Sequence, residues 1–242
     1  MAQEKVALVI GAGEATGGAI ARRFAREGFF TCVTRRNADK LKPLVERIEA
    51  GGGRARAFGS DARREEQVIE LFATIERDLG PIEVCSFNVG GNVRFPIREL
   101  TSRVYTKVWE MAAFAGFLAG REAARVMVPR GRGTLLFTGA TASLRGGKGY
   151  AAFAGAKHAL RALAQSLARE LGPEGIHVAH VVIDGAIDTP FIRESFPERY
   201  ALKEKSGILD PEAIAEAFWQ LHRQPKSAWT HELDLRPWIE PW

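Results

Sequence analysis

The chain has 242 residues, 46% of them hydrophobic and 26% charged, which suits one α/β domain with a sizeable core over residues 1–242. No apolar run reaches the length needed to span a bilayer, and the start, Met1-Ala2-Gln3-Glu4-Lys5, lacks the basic and apolar layout of a signal peptide, so no membrane association and a cytoplasmic location are expected. The net charge of +5 comes without a basic cluster interleaved with aromatics, which argues against nucleic acid, and the two cysteines and five histidines show no metal-ligand spacing.

Apolar runs alternate with amphipathic stretches from the start. Residues 6–10 form a buried-strand pattern ending in glycines, and 19–27 a helix with Ile20, Ala21 and Phe24 on one face, stopped by Gly28. Strands follow at 30–34, 54–58 and 82–87, separated by helices over 38–50 and 65–79. Cys32 and Cys85 fall in these strand runs, as buried free thiols would. A long apolar helix is expected over 104–128, a strand over 134–138, a helix over 150–171 stopped by Gly172-Pro173, and a strand over 176–183. Asp210-Pro211-Glu212 opens a further helix with a capping side chain and a proline in the first turn. A last strand spans 229–235, followed by a carboxyl-terminal extension. This β-α alternation implies a Rossmann-like, doubly wound parallel sheet of about seven strands with helices on both faces.

The first strand runs into Gly11-Ala12-Gly13-Glu14-Ala15-Thr16-Gly17-Gly18, a strand-to-helix turn with little side-chain bulk. Such a turn lets the backbone approach a pyrophosphate at the positive end of the following helix. The second strand ends in Thr34-Arg35-Arg36-Asn37. An acidic residue near this place would accept from the ribose 2′-hydroxyl of NAD; Arg35 and Arg36 instead suit the extra phosphate of NADP(H), with two solvated arginines as the plainer alternative.

With these marks in order, the chain resembles the short-chain dehydrogenase/reductase family over nearly its whole length. Gly11, Ala15 and Gly17 stand where that family has the three glycines of its phosphate turn, with alanine in the middle place, and Gly13 and Thr16 lie in the same turn. Asp61, followed by Ala62, matches the aspartate after the third strand that contacts adenine. Asn88-Val89-Gly90 matches the Asn-Ala-Gly that borders the cofactor. Lys157 matches the active-site lysine, and Gly185, Ile187 and Thr189 match the Pro-Gly and following threonine near the nicotinamide, with Asp184 in place of proline. The resemblance implies a small-molecule substrate. It also implies a homodimer or homotetramer, in which the long helix and the Lys157 helix form the four-helix contact.

The departures decide more than the matches. The family's asparagine falls on Ala112, its serine on Ala140 and its tyrosine on Phe153. Only Lys157 of the tetrad remains. Tyr150 lies seven residues before Lys157, close to two helical turns, and so shares its face. That Tyr-six residues-Lys spacing is similar to the enoyl-acyl-carrier-protein reductases, a divergent branch in which the tyrosine binds a thioester carbonyl while hydride adds to the neighbouring double bond. Two roles are open to Tyr150: catalysis, or packing on the loop Gly146-Gly147-Lys148-Gly149. Lys157 likewise either serves chemistry or only holds ribose hydroxyls. Asp184 is a candidate acid, with a turn-forming Asp-Gly as the alternative. Thr138 and Thr141 flank the missing serine, and His180 reads as structural. Phe191, Phe196 and Tyr200 suit an apolar lid or a packed core, and Arg94 and Lys148 an anionic group or solvent. Two functions follow: an NADP(H)-dependent reductase of an activated C=C or C=O using Tyr150 and Lys157, or a non-catalytic NADP(H)-binding homologue. The tail after residue 229 lacks the family's glycine-rich ending, and its tryptophans suit a subunit contact or packing on the chain itself.

Overall fold

In a computed structural model, which describes residues 4–241, seven parallel strands form one sheet. They are β1 (Val6–Ile10), β2 (Phe30–Arg35), β3 (Arg54–Gly59), β4 (Ile82–Phe87), β5 (Gly133–Thr138), β6 (Ile176–Ile183) and β7 (Glu232–Leu235). Their order across the sheet is β3-β2-β1-β4-β5-β6-β7. The order reverses between β1 and β4, and in a doubly wound sheet the crevice at the carboxyl ends of those strands is where a ligand sits.

The helices between them are α1 (Thr16–Arg26), α2 (Lys42–Ala50), α3 (Glu65–Asp78), α4 (Ser102–Trp109), α5 (Ala115–Met127), α6 (Ala151–Leu171), α7 (Pro190–Ser195), α8 (Pro197–Tyr200) and α9 (Pro211–Arg223). Side chains alternate along each strand, so the sheet separates two cores. Ala7, Val9, Leu136 and Val181 pack with α1, α2 and α9, where Phe24 and Trp219 meet edge-on at 5.5 Å. Leu8, Cys85, Phe137 and Val178 pack with α3, α5 and α6 on the other face. Both cysteines are free and buried, and desolvation pushes both thiols up to about 12. Among the described residues no helix is long and apolar enough to cross a membrane.

The elements follow the expected order with physical differences at their edges. Helix α1 begins at Thr16 rather than 19, since Ala19 N–H already donates to Ala15 O at 2.9 Å. The expected helix over 38–50 opens as a 3-10 turn over Ala38–Leu41, with α2 following it. The long helix is continuous in path but contains a π turn over Glu110–Phe114, and the family's asparagine position, Ala112, lies buried within that turn. Strand β7 starts three residues later than expected, because side chains take the backbone groups of Thr230: its N–H donates to Gln224 Oε1 at 2.7 Å and its carbonyl meets His177 Nε2 at 2.9 Å. Asp210 caps α9 as expected, its carboxylate accepting from Glu212 N at 3.0 Å. Helices α7 and α8 fill what the sequence leaves as loop, each opening on a proline. Trp238 donates to Lys205 O at 3.0 Å within the chain, while Trp242 lies outside the described residues.

Candidate functional site

The turn after β1 is built from close backbone approaches. Gly11 has φ +87°, and a β-carbon there would sit 2.7 Å from Asn88 O. A β-carbon on Gly17 would sit 2.7 Å from Gly11 O, and one on Gly18 would sit 2.2 Å from Gly13 O. Gly18 is therefore as constrained as the glycines singled out from the motif, and its place in the doublet Gly17-Gly18 was the available signal. Asn88 laces the turn to β4: its side-chain amide donates to Gly11 O at 3.1 Å and its backbone N–H to Ile10 O at 2.8 Å. Ala15 occupies the cap position of α1 without a capping side chain, and no acid stands in the first turn. Nothing lies within 4 Å of a β-carbon placed on Gly13. The N–H groups that open α1, from Thr16 and Gly17 on, thus have no capping side chain or acid beside them and open room at Gly13, which fits an anionic pyrophosphate.

Arg35 and Arg36 are exposed at and just beyond the end of β2. Asp61, just past β3, is gripped by Arg63 at 2.9 and 2.6 Å, and that guanidinium, helped by Arg36, holds its carboxyl below the usual carboxylate range. Ala62 packs at the rim of the core beside it.

Lys157 is the buried centre of the site, 3% exposed. Its ammonium donates to Thr138 O at 2.8 Å and to Val89 O at 3.4 Å, lies 3.4 Å from a β-carbon placed on Gly90, and stands 5.9 Å from the Phe153 ring centre. Burial pushes its pKa down to about 8. The three lost tetrad positions come together: Ala112, Phe153 and the half-buried Ala140 belong to one apolar cluster, and Tyr150 packs against it. Tyr150 caps α6, and its carbonyl accepts from Ala154 N at 2.8 Å, so the helical projection from Lys157 reaches it. Its ring also lies against Gly147, 3.2 Å from a β-carbon placed there, with the Arg94 guanidinium 6.0 Å away. Tyr150 therefore does pack on the glycine-rich loop while facing the emptied tetrad.

Behind Lys157, His180 is fully buried and meets Glu232 at 3.1 Å, while Arg161 grips Glu232 twice at 2.6 Å. Burial lowers the His180 pKa to about 4, so it is neutral at pH 7. This is the structural role expected of it. A β-carbon on Gly139 would fall 2.5 Å from its Nε2, so only glycine fits beside this imidazole.

Asp184 is not a solvent-facing turn residue. It is completely buried, and Thr141 donates its hydroxyl to it at 2.5 Å. Gly185 follows with φ +149°, Ile187 pairs with Leu209, and Thr189 caps α7 by accepting from Ile192 N at 3.1 Å. The Thr189 hydroxyl keeps its own proton for another acceptor. Phe191 and Phe196 are not core residues: they remain 61% and 50% exposed and meet edge-on at 5.8 Å.

This site sits in a chain that a model of the short chain dehydrogenase family matches over residues 5–199, and the chain belongs to that family. It is 51% identical to the solved structure of a short-chain dehydrogenase from Rhodopseudomonas palustris, with a TM-score of 0.82 over 97% of this chain and 99% of that one. It is 31% identical to gluconate 5-dehydrogenase of Gluconobacter oxydans over 172 residues, 71% of this chain and 67% of the relative. A metagenomic short-chain oxidoreductase in complex with NADP shares the fold at a TM-score of 0.84 and 23% identity, covering 98% of each chain. The matching family model, the gluconate dehydrogenase and the Rhodopseudomonas structure are all named as dehydrogenases, and the chain is an oxidoreductase of the same class.

Proposed function

We propose that the chain is an NADP(H)-dependent reductase of an activated C=C or C=O in a small apolar substrate, with Tyr150 and Lys157 as its catalytic residues. The observation that carries this reading is the apolar cluster of Ala112, Ala140 and Phe153, against which Tyr150 packs from the cap position of the lysine's helix. The usual phenol, hydroxyl and amide are gone from one continuous patch, and a phenol stands at its edge.

A nicotinamide cofactor held in this crevice would supply the hydride. Gly11, Gly13, Ala15, Thr16 and Gly17 would hold its pyrophosphate at α1, and Arg35 and Arg36 the 2′-phosphate, since no acid stands with them at the end of β2. Asp61 and Ala62 would border the adenine, Asn88, Val89 and Gly90 the ribose, and Gly185, Ile187 and Thr189 the carboxamide. Lys157 spends two of its three N–H groups on Thr138 O and Val89 O, which leaves one for a ribose hydroxyl. Its fixed charge favours negative charge developing on a nearby substrate oxygen, and the apolar wall strengthens that attraction by excluding water. Tyr150 would donate its phenolic hydrogen bond to that oxygen. The exposed rings of Phe191 and Phe196 supply the apolar surface that such a substrate needs.

The test is NADPH oxidation across a panel of ketones and enoyl thioesters, comparing the native chain with Tyr150→Phe. Loss of a positioned proton donor lowers kcat/KM by roughly 10²–10⁴-fold. Turnover left intact in Tyr150→Phe removes Tyr150 from the mechanism. NADPH binding with no oxidation by any substrate returns the chain to a cofactor-binding role.

A further inference from the structure

Two departures from the family's sequence pattern, Asp184 in the proline's place and a tail without the usual glycines, meet in one ion pair. Arg236, the first residue after β7, stands 3.3 Å from the Asp184 carboxylate. Asp184 also takes the Thr141 hydroxyl at 2.5 Å and lies 3.4 Å from Arg145, so one buried carboxylate joins the loop after β5, the end of β6 and the tail. From there residues 236–240 run across the segment that follows β6. Pro237 presses on Gly185, where a β-carbon would fall 2.8 Å from its Cδ. Trp238 donates to Lys205 O at 3.0 Å, and Glu240 pairs with Arg199 at 2.8 Å. The Ile239 side chain sits against Gly207 so closely that a β-carbon there would lie 2.5 Å away.

We infer that Asp184 is a positioning residue: through it the carboxyl-terminal strap fixes residues 185–207, and with them the nicotinamide end of the cofactor site. A carboxylate fully out of water needs cationic and hydroxyl partners, and Thr141, Arg145 and Arg236, which also pairs with Asp234, supply them from both sides of the segment. Two further anchors, at Arg199 and Lys205, hold the outer half of the segment, including α8. Phe191 and Phe196 ride on the same stretch, so the strap also sets where the apolar substrate surface stands. The binding arm of the test rests on the NADP(H) reading proposed above; the exchange arm does not.

The experiment compares native protein, Asp184→Asn and a chain ended after Leu235, which keeps all seven strands. Binding of NADPH is measured beside binding of 2′,5′-ADP, which carries only the adenosine half. Amide hydrogen exchange is followed by mass spectrometry. Asp184→Asn is expected to weaken NADPH about tenfold and leave 2′,5′-ADP unchanged, with exchange over 186–207 faster by an order of magnitude or more and β1–β5 unaffected. Equal loss for both ligands, or faster exchange throughout the sheet, marks Asp184 as a general stabiliser and overturns the inference. Unchanged exchange over 186–207 in both variants also overturns it. Native protein that binds neither ligand defeats the NADP(H) reading, and the exchange result then decides the strap by itself. If Asp184→Asn fails to fold, Trp238→Phe with Glu240→Gln loosens only the outer anchors, and faster exchange confined to 197–207 is the expected result; no change there counts against the strap.

Discussion

At the scale of single residues, Lys157 couples the site to stability. Its ammonium is buried with two carbonyl partners and no counter-ion among its hydrogen bonds, and burial lowers its pKa from 10.5 to about 8. Between those values the unfolded chain holds a proton that the folded chain has released, so stability rises with pH across that window. Below about 8 both states are charged and the full burial cost is present; above 10.5 both are neutral and it is gone. The shift corresponds to about 3 kcal/mol. Denaturant unfolding of native protein and Lys157→Met at pH 7 to 10.5 is therefore expected to show the native chain gaining about that much relative to the variant as pH passes from 8 to 10.5. Parallel curves for the two proteins would mean that Lys157 does not titrate in that window. The lysine itself was legible in the sequence, and so was Phe153 in the tyrosine's place. The burial that shifts its pKa was not, because it depends on Val89 and Thr138, distant in sequence and brought together by β4 and β5.

At the scale of elements, the sequence reading follows period and punctuation, and it fails where side chains far apart in sequence decide. Strands 6–10, 82–87 and 176–183 match to the residue because strands buried on both faces read as mostly apolar runs, even with Glu83, Ser86, His177 and His180 among them. The π turn at Glu110–Phe114 leaves no trace in an apolar pattern that reads as one helix. Strand β7 starts late because the side chains of Gln224 and His177 occupy the backbone N–H and carbonyl of Thr230. Helix α7 was legible in principle, since Thr189-Pro190 is a capping residue followed by proline at the first turn. The strap was invisible for a different reason: Asp184 and Arg236 are each ordinary in local context, and only the pairing of β6 with β7 joins them. The same pairing sets Glu232 opposite His180, where Arg161 of α6 closes on it. Arg161 holds the Glu232 pKa below its usual value, a stabilisation present above about pH 4.5 and lost as pH falls through the folded value. Both groups are about a third exposed, so Arg161→Leu is expected to cost about 1 kcal/mol at pH 7. That cost should fall as pH drops below about 4.5 and go on falling through the lowered folded pKa, as read by urea unfolding in steps from pH 7 into acid. A cost that persists unchanged in acid would assign the effect to lost packing of the arginine stem.

At the scale of the whole molecule, strand order explains why residues from all parts of the chain converge. The carboxyl ends of β1, β4, β5 and β6 deliver Gly11, Asn88, Thr138 and Asp184 to one edge of the sheet, and the reversal between β1 and β4 opens the crevice there. A ligand filling that crevice would bind the folded chain and not the unfolded one, so its binding free energy enters the global unfolding equilibrium. At a free concentration of about 100 times Kd it adds about 2.7 kcal/mol. For a chain of this length each kcal/mol moves the melting point by about 2–4 °C, so a shift of about 5–10 °C is expected with NADPH. The choice between cofactors rests on Arg35 and Arg36, two positive charges in a segment, Thr34 to Asn37, that carries no acid to accept from a bare ribose, while the nearby Asp61 is held by Arg63. NADPH should therefore raise the melting point more than NADH at equal concentration. Replacing both arginines by alanine should reduce the NADPH shift to the NADH value while leaving the NADH shift as it was, because only the 2′-phosphate loses partners. An NADH shift equal to or larger than the NADPH shift in the native protein would show that the arginine pair does not read that phosphate, and the cofactor preference would then have to be sought in the Asp61–Arg63 pair beside it.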